Sequence, residues 1–587
     1  MLKIKFIRVL LVFCGITLAM NACSRSADEE ASSALLDTDG LLQYVPADTP
    51  YAFAMAEPMP QDVLDKMQPH IDSILGSYRD VLKLMINEKA GELNEDPEKI
   101  ERAAQFLTVA TEFVELMSSE GLRDAGLSLQ SRSAFYGVGL LPVLRVELTD
   151  INAFETTIAQ FEEKIGNAMS VASINEQTYR YVGDEEARLI IAVIDDYLVV
   201  TVVPTALSSE HLSTVLGLTL PAQNIASAGV FDELAREYGY TSHALGFIDF
   251  ERLVATFLDH QPGVNAGLIE LMDYDDSVLT DVCRAEIREM SSIMPRIVTG
   301  YTEIGVAGIR SRAVVEIRND IATGLATLAA AVPGLGKDHG GLFSFGMSLD
   351  LLAARDFYIA RLDALEAEPY QCELFAELQD GVAKGREALN QPIPPIAYGF
   401  KGFLAVVDRI EGFDIANKQP PTDIDMRFLV AIDNAEGLLA MGTMFSPELA
   451  ALNLQPDGKP VKFDMPQLTS QFDAVYVAMT ENALGIAVGA DAESGLSDLL
   501  VDKAGEPPPV FSMHMDAGTY YEFIGDSMLV SNSVDSVNDE SAEMSPELMQ
   551  ALSDVMTELG SMLDRMSVDI VLTDRGIEFP TTMTLGE

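Results

Sequence analysis

The sequence predicts an α+β protein of two tandem, duplicated domains, each an antiparallel sheet with packed helices. Two kinds of observation predict it. β-branched and alternating apolar runs broken by turn residues sit beside stretches whose apolar side chains recur every three to four residues, the periods of strand and helix. Short motifs then return in the same order. Tyr51-Ala-Phe-Ala-Met55 has a counterpart in Phe343-Ser-Phe-Gly-Met347, 292 residues on. "RVELTDINA" from Arg145 matches "RFLVAIDNA" from Arg427 at an offset of 282. The hairpin-like "AVIDDYLVVTVV" from Ala192 parallels "AMTENALGIAVG" from Ala478, with Leu198 over Leu484 at 286. Gly308-Ile309 parallels Gly576-Ile577 at 268. Changes in loop length absorb such differences of offset, so the four together predict a duplication.

Within the first copy, Tyr51–Met55 reads as a short strand. From Gln61 to Ile86, Val63, Leu64, Met67, Ile71, Ile74, Leu75, Tyr78, Leu82 and Met85 form one helix face, and Pro69 is placed to kink it. A second helix is expected over Pro97–Met117, strands over Ala134–Leu148 and a helix over Asn152–Ile165. The β-branched runs of Tyr179–Val203, broken by "GDEEA" and "DD", predict adjacent antiparallel strands. A short helix (Leu207–Leu216), a strand (Ala244–Asp249), further helices and a strand pair (Thr302–Ile317) complete the copy. The second copy repeats this order from Gly341 to Leu585. Between them the alanine-rich stretch ending in "GLGKDHGG" reads as a linker with its boundary at Gly334–Gly340. This gives a first domain at 41–333 and a second at 341–587.

The N-terminus carries an address. Lys3, Lys5 and Arg8 precede the apolar run Val9–Met20, which is too short to span a bilayer and is followed by acidic polar sequence. Residues 1–22 resemble a lipoprotein signal peptide, in which the residue after the cut is a cysteine whose thiol receives a diacylglyceryl group. Cys23 is that residue, with Ala22 before it; Asn21 departs from the usual small or apolar choice. Residues 23–40 then read as the lipidated cysteine and a flexible acidic tether. Ser24 after the cysteine favours the periplasmic face of the outer membrane over the inner membrane.

Charge narrows the partners. The chain has 38 basic and 91 acidic side chains, a net of −53, and loss of a leader with three basic residues takes it to −56. Such a charge repels nucleic acid and anionic headgroups. Membrane attachment is therefore expected from the lipid anchor. With 48% hydrophobic and 22% charged residues the composition is globular.

Four cysteines occur. Cys14 leaves with the leader and Cys23 is the anchor. Cys283 and Cys372 remain, and in an oxidising periplasm they are expected to form a disulfide, the alternative being two separate buried thiols. They lie on opposite sides of the predicted boundary, so a bond between them would staple the halves.

The opening "YVPADTPYAFAMAEPMP" (Tyr44–Pro60) resembles that of uncharacterised bacterial envelope proteins that begin with a Pro-Ala-Asp-Thr-Pro motif. The resemblance implies a strand-and-helix repeat style and no catalytic residues. Physically, Pro46 and Pro50 stiffen the approach to the first strand and Asp48 suits a turn.

Chemistry is sparse. The histidines (His70, His211, His243, His260, His339 and His514) are scattered without metal-ligand spacing. No G-x-S-x-G elbow occurs, and "GLGKDHGG" lacks the spacing and hydroxyl of a phosphate loop. "DTDG" (Asp37–Gly40) and "DYDD" (Asp273–Asp276) complete no calcium loop. A final helix is expected to carry a Met-rich face including Leu548, Met549, Leu552, Val555, Met556, Leu559, Met562, Leu563 and Met566, which reads as core rather than a copper site. No cofactor, metal site or catalytic group is expected. The function expected is a lipid-anchored envelope module that binds or supports without catalysis, with a carrier of a lipid or other hydrophobic ligand as the alternative.

Overall fold

The computed structural model describes residues 40–91, 116, 118–165, 169–259, 263–272, 279–392, 394–411, 423–445, 449, 451–463, 474–489, 492–534 and 545–586. Cys23, the leader, the tether up to Asp39, all but Leu116 of the helix expected over Pro97–Met117, His260 and Asp273–Asp276 lie outside them. The fold is α+β. The described residues fall into two units, drawn from Met1–Leu279, Ile287–Ser311 and Met544–Glu558, and from Thr280–Glu286, Arg312–Glu543 and Leu559–Glu587.

In the first unit, short apolar and β-branched runs bounded by turn residues form the strands: β1 (Tyr51–Met55), β2 (Ser133–Val138), β3 (Leu141–Glu147), β4 (Ser170–Ile174), β5 (Gln177–Gly183), β6 (Ala187–Ile194), β7 (Tyr197–Pro204), β8 (Leu245–Asp249), β9 (Arg296–Gly305) and β10 (Gly308–Glu316). Their order across the sheet is β4-β5-β6-β7-β3-β2-β1-β8-β9-β10, antiparallel from β4 to β9. Helix α1 (Gln61–Gly91) runs through Pro69, and α2 (Ser119–Asp124) leads into β2. Helix α3 (Ile151–Ile165) follows β3 and α4 (Ser209–Leu216) follows β7. Then come α5 (Val230–Tyr238), α6 (Phe250–Leu258), α7 (Ala266–Leu271) and α8 (Asp281–Ile293), of which Asp281–Glu286 counts with the second unit. The start of α3 is set by Asp150, whose carboxylate accepts the N–H groups of Asn152 and Ala153 at 2.9 and 3.0 Å.

Arg145 lies in the buried register of β3, beside Leu141 and Val143, and its residue is 0% exposed. Its guanidinium sits 3.7 Å from the centroid of Tyr44 and donates through Nη2 to Leu216 O at 2.8 Å, while Nη1 has no hydrogen-bond partner. Gly217 must be a glycine here: at φ +79° a Cβ would stand 2.4 Å from Nη2. The Tyr44 hydroxyl donates to Asp195 at 2.7 Å. Burial, and then that bond to a carboxylate, raises the phenol far above its ordinary pKa, so the ring stays neutral over the cation.

The second unit has β11 (Phe343–Ser348), β12 (Phe400–Glu411), β13 (Asp423–Ile432), β14 (Val461–Lys462), β15 (Val475–Met479), β16 (Ala483–Val488), β17 (Phe511–Asp516), β18 (Leu563–Thr573) and β19 (Gly576–Leu585). They pair in the order β14-β15-β16-β13-β12-β11-β17-β18-β19, all antiparallel. Its helices are α9 (Asn319–Ala326), α10 (Leu351–Ala367), α11 (Ala376–Leu389), α12 (Pro395–Tyr398), α13 (Ala435–Phe445), α14 (Ala492–Val501) and α15 (Ala517–Val534), while α16 (Pro546–Met562) belongs to the first unit as far as Glu558. Leu563 and Met566, expected on the last helix, lie in β18 instead.

The strand orders β6-β7-β3-β2-β1-β8-β9-β10 and β15-β16-β13-β12-β11-β17-β18-β19 are the same order in chain terms. One row of cross-strand partners runs Gly300, Leu245, Ala54, Ala134, Arg145, Val199 in the first sheet. The corresponding row runs Asp569, Ser512, Gly346, Leu404, Leu429, Gly485 in the second. Arg145 therefore corresponds to Leu429, an offset of 284 rather than the 282 that superposes Arg145 on Arg427. A two-residue step keeps every side chain on its face, so both alignments turn the same side chains inward.

The stretch read as a linker is packed structure. Leu328, Ala330 and Val332 alternate into the interior and Leu335 joins them. Val332 and Leu335 share a core with Leu404, Leu429, Leu496 and Leu500 of β12, β13 and α14. The strap is tied down by Ala330 N–H to Ser348 Oγ at 3.2 Å and by Gly505 N–H to Leu335 O at 2.7 Å. Arg565 donates to both oxygens of Asp338 at 2.7 and 2.6 Å. The units accordingly divide inside β10, at Ser311–Arg312, not at 334–340.

Candidate binding face

Strand alternation gives the second sheet two faces of different character. One carries the core beneath the strap. On the other, a row across six strands reads Ile570, Phe511, Met347, Phe403, Val430 and Leu484. The adjoining row reads Val568, Met513, Phe345, Ala405, Phe428 and Ile486. All twelve are apolar. Toward β16, Leu484 and Ile486 pack with Leu438 and Leu439 of α13. The centre is open: Phe345 and Met347, on β11 in the middle of the sheet, are 38% and 49% exposed.

Phe345 makes an edge-on contact with Phe403, whose ring in turn lies 6.0 Å from that of Phe428, so the exposed centre is a continuous aromatic surface. The first unit closes the corresponding point, since Met55 stands where Met347 does and is 7% exposed. The helices that follow β1 and β11 differ in the same sense. In α1, Val63, Leu64, Met67 and Ile71 are buried. In α10 only Ala354 is buried, while Leu352 and Tyr358 are exposed. Neutral, polarisable phenylalanine and methionine surfaces of this kind bind apolar groups and adapt to their shape.

No family model, curated protein or solved structure matches the chain. Its function must be argued from its own residues.

Cys283 on α8 and Cys372, just ahead of a 3-10 turn at Glu373–Phe375, are joined by a disulfide of sequence separation 89. Both cysteines belong to the second unit, so the bond closes a loop ending within that unit and is not the staple between halves that the sequence suggested. Glu286 reinforces it, its carboxylate accepting the backbone N–H groups of Gln371 at 2.7 Å and Cys372 at 2.9 Å.

Among the described residues no cluster of three or more His, Cys, Asp or Glu side chains could hold a metal. No helix among them is long and apolar enough to cross a membrane. On α16, Leu548, Met549, Val555 and Met562 are buried as packing residues. Two features escaped the sequence reading. The open face has a signal, since Phe343, Phe345 and Met347 alternate with Ser344, Gly346 and Ser348 on one short strand. The other is Arg145, an arginine in a buried register of an otherwise apolar run.

Proposed function

We propose that this chain is a lipid-anchored envelope protein that binds an apolar surface of another envelope protein without catalysis. The observation that carries the reading is the uncovered centre of the second sheet at Phe345 and Met347. An aromatic and methionine surface left open in the middle of a sheet costs solubility, and its use in binding accounts for its exposure. Tethering at Cys23, on the periplasmic face of the outer membrane, would hold that surface near its partner. The shared strand order supports descent of the two units by duplication, with the first kept closed and the second opened, and fits the envelope family that the Pro-Ala-Asp-Thr-Pro opening resembles.

Phe345→Glu with Met347→Glu is expected to abolish capture of the partner from detergent-solubilised envelopes while leaving the melting temperature within a few degrees. An unchanged set of captured proteins would sink the reading. The uninterrupted apolar rows favour one alternative, a carrier of a lipid or other hydrophobic molecule. Mass spectrometry of organic extracts separates the two, because a carrier releases a stoichiometric lipid that the double variant lacks.

For the anchor, Cys23→Ala is expected to abolish acylation and release the protein from washed membranes. Full retention after an alkaline wash would exclude attachment through Cys23.

A further inference from the structure

On the strap side of the second sheet, Ser512 and His514 lie two residues apart on β17 and so share a face. Asp569 on β18 is the cross-strand partner of Ser512. Ser512 is 2% and His514 9% exposed. Ser512 Oγ, His514 Nε2 and Asp569 Oδ1 are all buried, and none has a hydrogen-bond partner in the protein. His514 Nε2 and Asp569 Oδ1 stand 3.9 Å apart. That is too far for a direct hydrogen bond, which ends near about 3.2 Å.

The fold does not require these groups. At the corresponding positions the first unit has Leu245 for Ser512, Phe247 for His514 and Gly300 for Asp569. There the space is filled by rings: Phe247 is buried against Phe231, and a Cβ on Gly300 would meet Tyr240 Cγ at 2.6 Å. The second unit has exchanged apolar packing for three buried polar side chains on one face of neighbouring strands. Burial holds the His514 imidazole below its ordinary pKa, against the opposing pull of Asp569 and Asp338. Whatever satisfies the three atoms must be small. Gly346 is the other cross-strand neighbour of Ser512, and a Cβ there would meet Leu335 Cδ1 of the strap at 2.7 Å.

We infer that Ser512, His514 and Asp569 bind one internal water molecule, in a site that the second unit has and the first lacks. Water alone combines two donors and two acceptors at this size, and three polar partners are the usual number for a buried molecule. Standing off the line between His514 Nε2 and Asp569 Oδ1, it reaches both across the 3.9 Å gap and takes Ser512 as its third partner.

Oxygen-17 magnetic relaxation dispersion on the full chain counts long-lived internal waters. His514→Phe, which installs the first unit's residue, is expected to remove one such water relative to wild type. Ser512→Ala, which disturbs packing less, is expected to shorten its residence time or remove it. An unchanged count and residence time in a folded Ser512→Ala protein would overturn the proposal. A high-resolution crystal structure of the wild type is expected to show one oxygen within hydrogen-bond distance of all three side chains. A direct His514 to Asp569 bond with no such oxygen, or density for a larger molecule, would overturn it equally.

Discussion

Arg145→Ala is expected to cost the first unit about 3 kcal/mol or more of stability, because it removes three contributions at one buried point. A desolvated cation over Tyr44 is worth about 2 kcal/mol. Truncation also leaves Leu216 O unpaired at about 1 kcal/mol or more, and it opens a cavity whose cost depends on how far the site collapses. Arg145→Leu should cost much less. Leu429 fills the corresponding place in the second sheet and is fully buried, and replacing a buried charge by an apolar side chain of similar volume is often nearly neutral. Chemical unfolding of both variants, with hydrogen exchange across β3, reads the difference. A loss below about 1 kcal/mol for Arg145→Ala would show that the cage contributes little.

Replacing Cys283 and Cys372 by serine is expected to destabilise the second unit by about 4 to 5 kcal/mol, the loop-closure value for a loop of 89 residues. The Glu286 carboxylate still holds Gln371 and Cys372 after reduction. The native geometry around the break should therefore survive, and the loss lies mainly in a freer unfolded chain. Thermal unfolding with and without reductant tests this. Wild type should drop to the midpoint of the double variant in reductant, and a midpoint indifferent to reductant would contradict the expectation.

How much of this was legible in the sequence depends on the range of the interactions involved. Periodicity located β1, α3, the β6 and β7 hairpin and β8 to within a residue or two, because strand and helix impose their periods locally. Motif matching paired strands that hold the same place in the two strand orders but set β3 against β13 two residues out of register, since the arginine of each run attracts its counterpart while hydrogen-bond register obeys neighbouring strands. The helix ending before Leu563 was misread for a related reason: an apolar stripe continues unbroken from α16 into β18. The strap from Leu328 to Leu335 looked like slack because it is built of alanine and glycine. Yet Leu328, Ala330 and Val332 already showed the alternation of an extended segment buried on one side. Of the candidate face, the alternating Phe343, Phe345 and Met347 were visible. Their exposure was not, because it depends on which elements fold over the face, which is a long-range property. The three polar atoms of Ser512, His514 and Asp569 converge only once β17 and β18 are paired.

Neither unit is a continuous length of chain. The first draws on Met544–Glu558 and the second on Thr280–Glu286. A polypeptide emerging from its N-terminus therefore exposes the ten strands of the first sheet long before the last stretch of that unit is available. Its last stretch ends at residue 558, when the second unit still lacks β18 and β19. Each unit thus needs residues that lie beyond 543. A protein cut at 334–340 would yield two fragments, each missing a piece that the other carries.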